Sequence, residues 1–240
     1  MFRLTKVAYF FEILYICAKF IYKWRRLHFT HSSNKKHITL NTMSLSNKNK
    51  GYIIALATIL LVVIDQVVKM LVHANMEVGD VTPVFSWFNL CYVENPGFAF
   101  GMQLGGGGGG IDWGKIALSI FRLVMIGALI YGIRYLIKKG SEVPKGVIYG
   151  AMLILAGAIG NMVDSMFYGL FIEEQGTGFL TGKVIDMVHL PLFKWESCPS
   201  FLRFLVGGDG YFFGAVFNVA DAYISCAVVY LLVFHYKFFK

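Results

Sequence analysis

Charged residues and cysteines are both scarce in this chain. Asp, Glu, Lys and Arg together make up 15% of the 240 residues, whereas soluble domains contain about 25%. The four cysteines are scattered, with no Cys-x-x-Cys pair and no Cys/His cluster. This spacing gives no support to a disulfide framework, a zinc site or a redox centre, and only a bridge between Cys91 and Cys198 stays open. We therefore expect no metal and no cofactor.

The excess of positive charge is concentrated at one end of the chain. Residues 1–42 carry eight Lys or Arg residues against one acid, Glu12, and so account for most of the net charge of +8. The remaining 43–240 segment is nearly neutral and has no basic patch with interleaved aromatic residues, which excludes a nucleic-acid partner. We expect 1–42 to be a basic N-terminal extension that is either disordered, or not translated because the true start is Met43.

Apolar residues, in contrast, make up 57% of the chain. They form four runs that are long enough to cross a bilayer, which takes about 20 helical residues. The predicted spans are Gly51–Val72, Ile116–Ile137, Gly146–Tyr168 and Gly214–Phe234. The sequence thus predicts an all-α membrane protein whose 43–240 domain has four transmembrane helices.

Two long connections separate these spans, and both are too long for passive loops. In the first, the mixture of apolar and polar residues over 84–104 predicts two short strands with a turn at Asn95-Pro96-Gly97. It continues into Gly105–Gly110, which we interpret as a flexible connector that could let a lid move. In the second, 169–213, the stretch Val184–Leu192 is typical of a strand. We expect a small extracytoplasmic β-platform that carries function.

The placement of lysine and arginine predicts the orientation of the spans. Basic residues collect just before the first span, in the short link between the second and third spans, and after the fourth span. Acidic residues dominate both long connections. Both termini are therefore expected in the cytoplasm, and both long connections on the outer side of the membrane.

Several ionisable side chains are predicted inside the spans, where charge is costly and by default indicates function. At a rise of about 1.5 Å per residue, Asp65, Asp164 and Asp221 all fall in the outer third of the bilayer. Asp186 stands in the outer connection that leads back to the fourth span, where it can meet Asp221. The sequence predicts a cluster of carboxylates near the outer rim of the bundle.

Helical spacing pairs these acids with polar neighbours on the same face. The pairs are Asn161 with Asp164, Asn218 with Asp221, and Asp65 with Lys69. Structural interpretations stay open for each acid: an anchoring ion pair at Asp65, a helix cap or cross-link at Asp164, a solvated loop position at Asp186 and a snorkelling or paired position at Asp221.

Two carboxylates at a dry site cannot easily both ionise at close range, so one serves as an acid and the other as a base. Such a pair can activate a water molecule against a peptide carbonyl and then protonate the leaving nitrogen. The sequence offers no Ser/His/Asp or Cys/His set at matching depth. If the chain is an enzyme, acid–base hydrolysis is favoured over covalent catalysis.

Five short motifs follow one another along 43–236: Asp65-Gln-Val-Val-Lys69, Asn95-Pro-Gly-Phe-Ala-Phe-Gly101, Gly157-Ala-Ile-Gly-Asn-Met-Val-Asp164, Val184-Ile-Asp186 and Phe217-Asn-Val-Ala-Asp-Ala-Tyr-Ile224. In this order they resemble the bacterial lipoprotein signal peptidases (signal peptidase II). The resemblance implies an intramembrane aspartic endopeptidase of the bacterial cytoplasmic (inner) membrane. Its expected partners are membrane lipid and diacylglyceryl-modified prolipoproteins, which it cleaves just before the lipidated cysteine.

Carried over position by position, the resemblance implies that Asp186 and Asp221 form the catalytic pair. The other matching positions imply roles in substrate binding or support, and they are Asn161, Asn218, Asp164, Asp65, Lys69, Asn95 and Gly97. One position departs from the family pattern, which commonly has an arginine directly after the third motif's aspartate, where this chain has Ser165. What that arginine contributes must come from elsewhere or be absent.

Two other classes of protein stay open at this stage. A small proton- or ion-coupled transporter also uses acids and lysines inside its spans, but the two halves of the chain show no convincing internal repeat. A structural four-span scaffold predicts that replacing Asp186 or Asp221 by Asn leaves the phenotype unchanged.

Overall fold

The computed structural model describes residues 47–96, 113–173, 175, 178–196, 198–199, 206, 210–212 and 214–240. The predicted extension 1–42, the site residue Gly97 and the connector Gly105–Gly110 lie outside these described residues. Within them, Cys91 and Cys198 are free thiols, so the bridge that the sequence left open is not formed.

Four α-helices form the framework of the described chain. They are α1 (Asn47–Asn75), α2 (Trp113–Lys139), α3 (Lys145–Phe171) and α4 (Val219–Phe234). The first three are long and apolar enough to cross a membrane, and α4 is a shorter apolar helix of 16 residues. The predicted class of a mostly helical membrane protein is thereby confirmed.

The segments that connect the helices form a small antiparallel sheet. Its strands, in spatial order, are β1 (Val81–Phe85), β2 (Phe88–Asn95), β3 (Val184–His189) and β4 (Val216–Phe217). The β1–β2 turn falls at residues 86–87, which interrupts the first strand predicted from residue 84, whereas the turn predicted at Asn95-Pro96-Gly97 extends beyond the described residues. Asn95 ends β2, because this stretch pairs with β3, where Asn95 stands opposite Val184.

The fourth helix begins at Val219, five residues after the start of the predicted span at Gly214. Val216–Phe217 pairs with β3, and Asn218 then caps the helix by accepting a 2.9 Å hydrogen bond from the Asp221 N–H. Hydropathy does not separate a short apolar strand from the first turn of an apolar helix. Asp221 consequently lies in the first turn of α4 and not two turns inside it.

Helix α3 is the centre of the bundle, and it packs against α1, α2 and α4. Small residues bring α3 and α4 together: a Cβ at Gly157 would touch the Ala220 carbonyl oxygen and the Ile224 side chain. Such close approach of backbones is how membrane helices gain packing contacts where lipid removes the hydrophobic effect.

The outer faces of the helices are apolar. The exposed large side chains include Leu56, Ile59, Val63, Phe121, Val124, Val229, Leu232 and Val233. This pattern is the reverse of a soluble bundle, and it suits a surface that faces lipid tails. The polar side chains that form a site are therefore expected in the interior of the helix bundle.

Candidate active site

Four aspartates gather where α1 and α3 approach the sheet and α4 begins. Asp65 and Asp164 come from α1 and α3, Asp221 from the first turn of α4, and Asp186 from β3. The side chains of Asp65 and Asp164 are fully buried, Asp186 is buried, and Asp221 is half-buried. The predicted convergence of the four carboxylates is confirmed.

Lys69 is the cation at the base of this cluster. Its Nζ lies 2.8 Å from Asp65 Oδ2 and 2.6 Å from Asp164 Oδ2, and it donates a 3.1 Å hydrogen bond to Asn161 Oδ1. All three ammonium protons therefore have an acceptor. Both carboxylates and the lysine are fully buried, and this is the ion pair that the spacing of Asp65 and Lys69 indicated, extended by Asp164 to a triad.

Gln66 and Tyr168 complete the triad, and the sequence analysis missed both. Gln66 Nε2 donates to Asp164 Oδ1 at 2.8 Å and to the Gly160 carbonyl at 3.1 Å. The Tyr168 hydroxyl donates to Gln66 Oε1 at 3.0 Å. A signal was available, because Gln66 lies inside the first motif and Tyr168 is one helical turn beyond Asp164.

Asp65 also fixes the start of α4. Its Oδ1 accepts a 2.9 Å hydrogen bond from the Ala220 N–H, while Asn218 Oδ1 accepts from the Asp221 N–H at 2.9 Å. Helix starts leave such N–H groups without partners inside the helix, and acceptors here stabilise the first turn. The two bonds hold the backbone of Asp221 in a set position.

Asp186 is held by two amides. Asn218 Nδ2 donates to its Oδ1 at 2.6 Å, and Asn95 Nδ2 donates to its Oδ2 at 2.9 Å. Burial raises the pKa of Asp186 to about 7, and the charge of Asp221 raises it as well, while the two amide hydrogen bonds and Lys69 act in the opposite direction. The carboxyl of Asp186 therefore keeps its proton to a higher pH than an exposed aspartate does.

Asp221 is connected to the lysine cluster through Asn161. Asn161 Nδ2 donates to Asp221 Oδ1 at 2.7 Å, and its Oδ1 accepts from Lys69. A single amide thus fixes the Asp221 carboxylate from α3 and transmits the geometry of the buried triad to it.

Helix α2 contributes a stripe of polar side chains that the sequence analysis also missed. The Lys115 ammonium donates to the Thr181 carbonyl, and Ser119 Oγ donates to the Leu180 carbonyl at 2.9 Å. Arg122 Nη1 donates to Ser165 Oγ at 2.8 Å. The visible signal was polar residues spaced four and three apart within an apolar run, which share one helix face.

The structure brings the sequence-predicted residues together around one site: Asp65, Lys69, Asn95, Asn161, Asp164, Asp186, Asn218 and Asp221. Gly97 lies outside the described residues. In the described part of the chain, no group of three or more His, Cys, Asp or Glu residues is arranged to hold a metal ion.

Apolar helices of membrane-spanning length around a buried polar site define an integral membrane protein, and its relatives are enzymes. Residues 57–237 match the family described as signal peptidase (SPase) II. The chain belongs to the signal peptidase II family and is a membrane protease. This supports the peptidase interpretation of the sequence and not the transporter alternative.

Individual relatives agree with this membership. The chain is 38% identical over 202 residues to the lipoprotein signal peptidase of Porphyromonas gingivalis, covering 79% of this chain and 85% of that protein. It is 35% identical over 192 residues to the lipoprotein signal peptidase of Amoebophilus asiaticus, covering 76% of each chain. A bacterial membrane enzyme solved by the in meso method has a similar fold, with a TM-score of 0.50, 20% identity, and coverage of 78% of this chain and 88% of that one.

Proposed function

We propose that Asp186 and Asp221 are the catalytic pair with which this signal peptidase removes the signal peptide from diacylglyceryl-modified prolipoproteins, just before the lipidated cysteine. The observation that carries the proposal is the shared contact with Asn218, which binds the carboxyl of Asp186 and the backbone N–H of Asp221. This contact holds two acids from different elements beside each other at the helix–sheet junction.

The two acids have different surroundings, and this difference assigns their roles. Asp186 is buried, and its pKa is raised to about 7, so it carries a proton at the start of the reaction. Asp221 is more accessible and is the partner that accepts a proton. A pair of interacting carboxyls titrates as a unit, and one proton shared between them suits general acid–base hydrolysis.

The chemical step needs only this pair and a water molecule. Asp221 takes a proton from the water as its oxygen bonds to the scissile carbonyl carbon, and Asp186 donates its proton to the carbonyl oxygen. The tetrahedral intermediate then collapses: one of its hydroxyls returns a proton to Asp186 as the carbonyl re-forms, the carbon–nitrogen bond breaks, and Asp221 donates its proton to the nitrogen of the lipidated cysteine. The pair is left with one proton, as it began.

The remaining polar residues support this pair. Asn161, Asn218 and Asn95 orient the two carboxylates through their amides. Asp65, Lys69 and Asp164 form the buried triad that joins α1, α3 and the start of α4. Gly97 follows Asn95 in the same motif and is proposed to contribute to substrate binding.

The distribution of charge supports a topology with the site near the outer face of the bacterial cytoplasmic (inner) membrane. Basic residues lie at the end of the bundle away from the sheet, where α1 begins and α2 ends, including Lys48, Arg134, Lys138 and Lys139. Cytoplasmic ends of spans are enriched in such residues. Both termini are then cytoplasmic, and the scissile bond, anchored by the lipid of its cysteine, meets the aspartates at the outer interface.

The test is cleavage of a lipidated prolipoprotein by the purified protein and by its Asp186→Asn and Asp221→Asn variants. Both variants are expected to lose cleavage while keeping the size-exclusion profile and thermal unfolding of the wild type. Glu142→Gln is the matched control, because Glu142 is an exposed carboxylate in the turn between α2 and α3. Normal cleavage by either folded Asn variant contradicts the proposal.

A further inference from the structure

Arg122 is an arginine inside an apolar membrane helix, and such a residue requires a physical reason. Its neighbours Phe121 and Leu123 are exposed on the outer surface of α2, whereas Arg122 is partly buried and turned toward α3. It continues the inward polar stripe that begins at Lys115 and Ser119. The stripe places the guanidinium beside Ser165, the residue that follows Asp164.

The four carboxylates around the site carry more negative charge than Lys69 alone can balance, so a second cation is favoured there. Four carboxylates meet there, from α1 (Asp65), α3 (Asp164), α4 (Asp221) and β3 (Asp186). Lys69 on α1 uses its three protons on Asp65, Asp164 and Asn161. The positive charge of Arg122 interacts most strongly with the charge of Asp221, and less strongly with those of Asp164 and Asp186.

We propose that Arg122 is a positioning residue that supplies, from α2, the positive charge beside the Asp186/Asp221 pair. This inference rests on the proposed function of that pair. Through its charge, Arg122 stabilises the negative charge that the pair carries. A guanidinium suits this role because it stays protonated at every physiological pH.

A chain of contacts fixes where this charge stands. Arg122 Nη1 donates to Ser165 Oγ at 2.8 Å, and Ser165 Oγ in turn donates to the Asn161 carbonyl at 3.1 Å. The side chain of the same Asn161 donates to Asp221 Oδ1 at 2.7 Å. The Ser165 hydroxyl therefore fixes the position of the guanidinium of Arg122, which projects from the neighbouring helix α2.

The experiment separates the charge of Arg122 from its hydrogen bond. Arg122→Gln retains a donor for Ser165 but removes the charge, Arg122→Lys retains the charge, and Ser165→Ala removes the acceptor only. The measurement is kcat and KM for cleavage of a lipidated prolipoprotein across the pH range. Arg134→Gln is the matched control, because Arg134 is an exposed arginine on the same helix.

Arg122→Gln is expected to lower kcat at neutral pH at least tenfold and to move the whole pH–rate profile upward by about one pH unit, the size of shift caused by an opposite charge at close range. Arg122→Lys and Arg134→Gln are expected to keep the wild-type profile within a few tenths of a pH unit, whereas Ser165→Ala, which releases the guanidinium, is expected to move the profile upward by less than Arg122→Gln does. The double variant Arg122→Gln/Ser165→Arg returns a guanidinium to the site from α3 and is expected to restore the profile.

An unchanged profile in folded Arg122→Gln overturns the inference, as does an equal upward shift in Arg122→Lys, since that result makes shape and not charge the cause. If Arg122→Gln does not fold, the double variant decides: a wild-type profile supports the inference, and a folded but inactive protein overturns it. The proposed function fails separately, if Asp186→Asn and Asp221→Asn cleave normally.

Discussion

Asn218 Nδ2 donates a 2.6 Å hydrogen bond to Asp186 Oδ1, and this contact joins the sheet to the start of α4. The Oδ1 of the same buried Asn218 accepts the Asp221 N–H at 2.9 Å. Because one side chain makes both contacts, the strand that carries Asp186 and the helix that carries Asp221 cannot shift independently. The residue that caps α4, Asn218, thereby also sets the spacing between Asp186 and Asp221.

Replacing Asn218 by Asp separates these two tasks. The aspartate still caps α4, since a carboxylate accepts from the Asp221 N–H, but it cannot donate to Asp186 and adds a negative charge beside it. We expect wild-type thermal unfolding within a few degrees. Cleavage is expected to fall by about 10- to 100-fold, because Asp186 is charged once it has donated its proton, and a hydrogen bond to a charged group contributes about 1.5–3 kcal/mol.

Asn218→Ala is the companion variant, and it loses the cap as well. We expect it to be less stable than Asn218→Asp by about 1 kcal/mol, measured by thermal unfolding in detergent. Full activity of Asn218→Asp would show that the donor to Asp186 has no part in catalysis.

Lys69 is predicted to hold the bundle together. Lys69→Met leaves the buried Asp65 and Asp164 without their cation, which costs about 3–5 kcal/mol in comparable buried pairs. We expect little monodisperse protein by size-exclusion chromatography. The triple variant Lys69→Met/Asp65→Asn/Asp164→Asn removes the unpaired charges and is expected to recover folded protein. If Lys69→Met alone is as stable as the wild type, the triad is not a structural element.

Asn95 is predicted to set the alkaline limit of activity. Burial raises the pKa of Asp186 to about 7 from its ordinary 3.8, whereas the hydrogen bond from Asn95 lowers it. A raised carboxyl pKa means that the folded protein favours the protonated acid. The stability from Asp186 is therefore complete below about pH 4 and is lost as the pH rises through about 7. The proton needed for catalysis is lost over the same upper range.

Asn95→Leu removes the hydrogen bond and keeps the site dry, so the pKa of Asp186 rises further. The alkaline limb of the pH–rate profile is expected to move to higher pH, with a lower kcat because the carboxyl is less well oriented. Asn89→Leu is the control on the same strand, since Asn89 contacts His189 and not Asp186. A shift of the limb to lower pH contradicts the assignment of Asp186 as the proton donor.

The sequence predicted the helices and the carboxylate cluster because both follow from local pattern. Long apolar runs specify spans, and Asp65, Asp164 and Asp221 are conspicuous within them. The start of α4 was placed at Gly214 and not at Val219, because Val216–Phe217 forms a strand only by pairing with β3, a partner about thirty residues earlier in the chain. Hydropathy along one segment carries no information about such a partner.

The polar residues of the site that were not predicted from the sequence were missed for a different reason. Gln66, Tyr168 and Arg122 act across helices, and the neighbours of each residue in the chain do not reveal its partner on another helix. The departure at Ser165 was visible, but the arginine that contacts Ser165 was not. The packing of the helices determines which face of α2 points toward α3. Only that packing identifies Arg122 as the residue beside Ser165.

Gly160 is predicted to be required for the packing of the site. A Cβ there would lie 2.6 Å from Asp65 Oδ2 and 3.2 Å from Ala220 Cβ. Gly160→Ala must therefore displace the Asp65 carboxylate from Lys69 and from the Ala220 N–H. We expect destabilisation of about 1–3 kcal/mol, the usual cost of overpacking, and a fall in kcat, because the start of α4 and with it Asp221 shifts.

Gly132→Ala on α2 is the matched control, because a Cβ there meets nothing within 4 Å. In that open position alanine is the better helix former by about 1 kcal/mol, so Gly132→Ala is expected to be at least as stable as the wild type and fully active. Thermal unfolding and cleavage assays on the two variants give the comparison. Equal stability of both would mean that α3 and α1 have room to separate at Asp65, and the tight contact at Gly160 would then not be what positions Asp221.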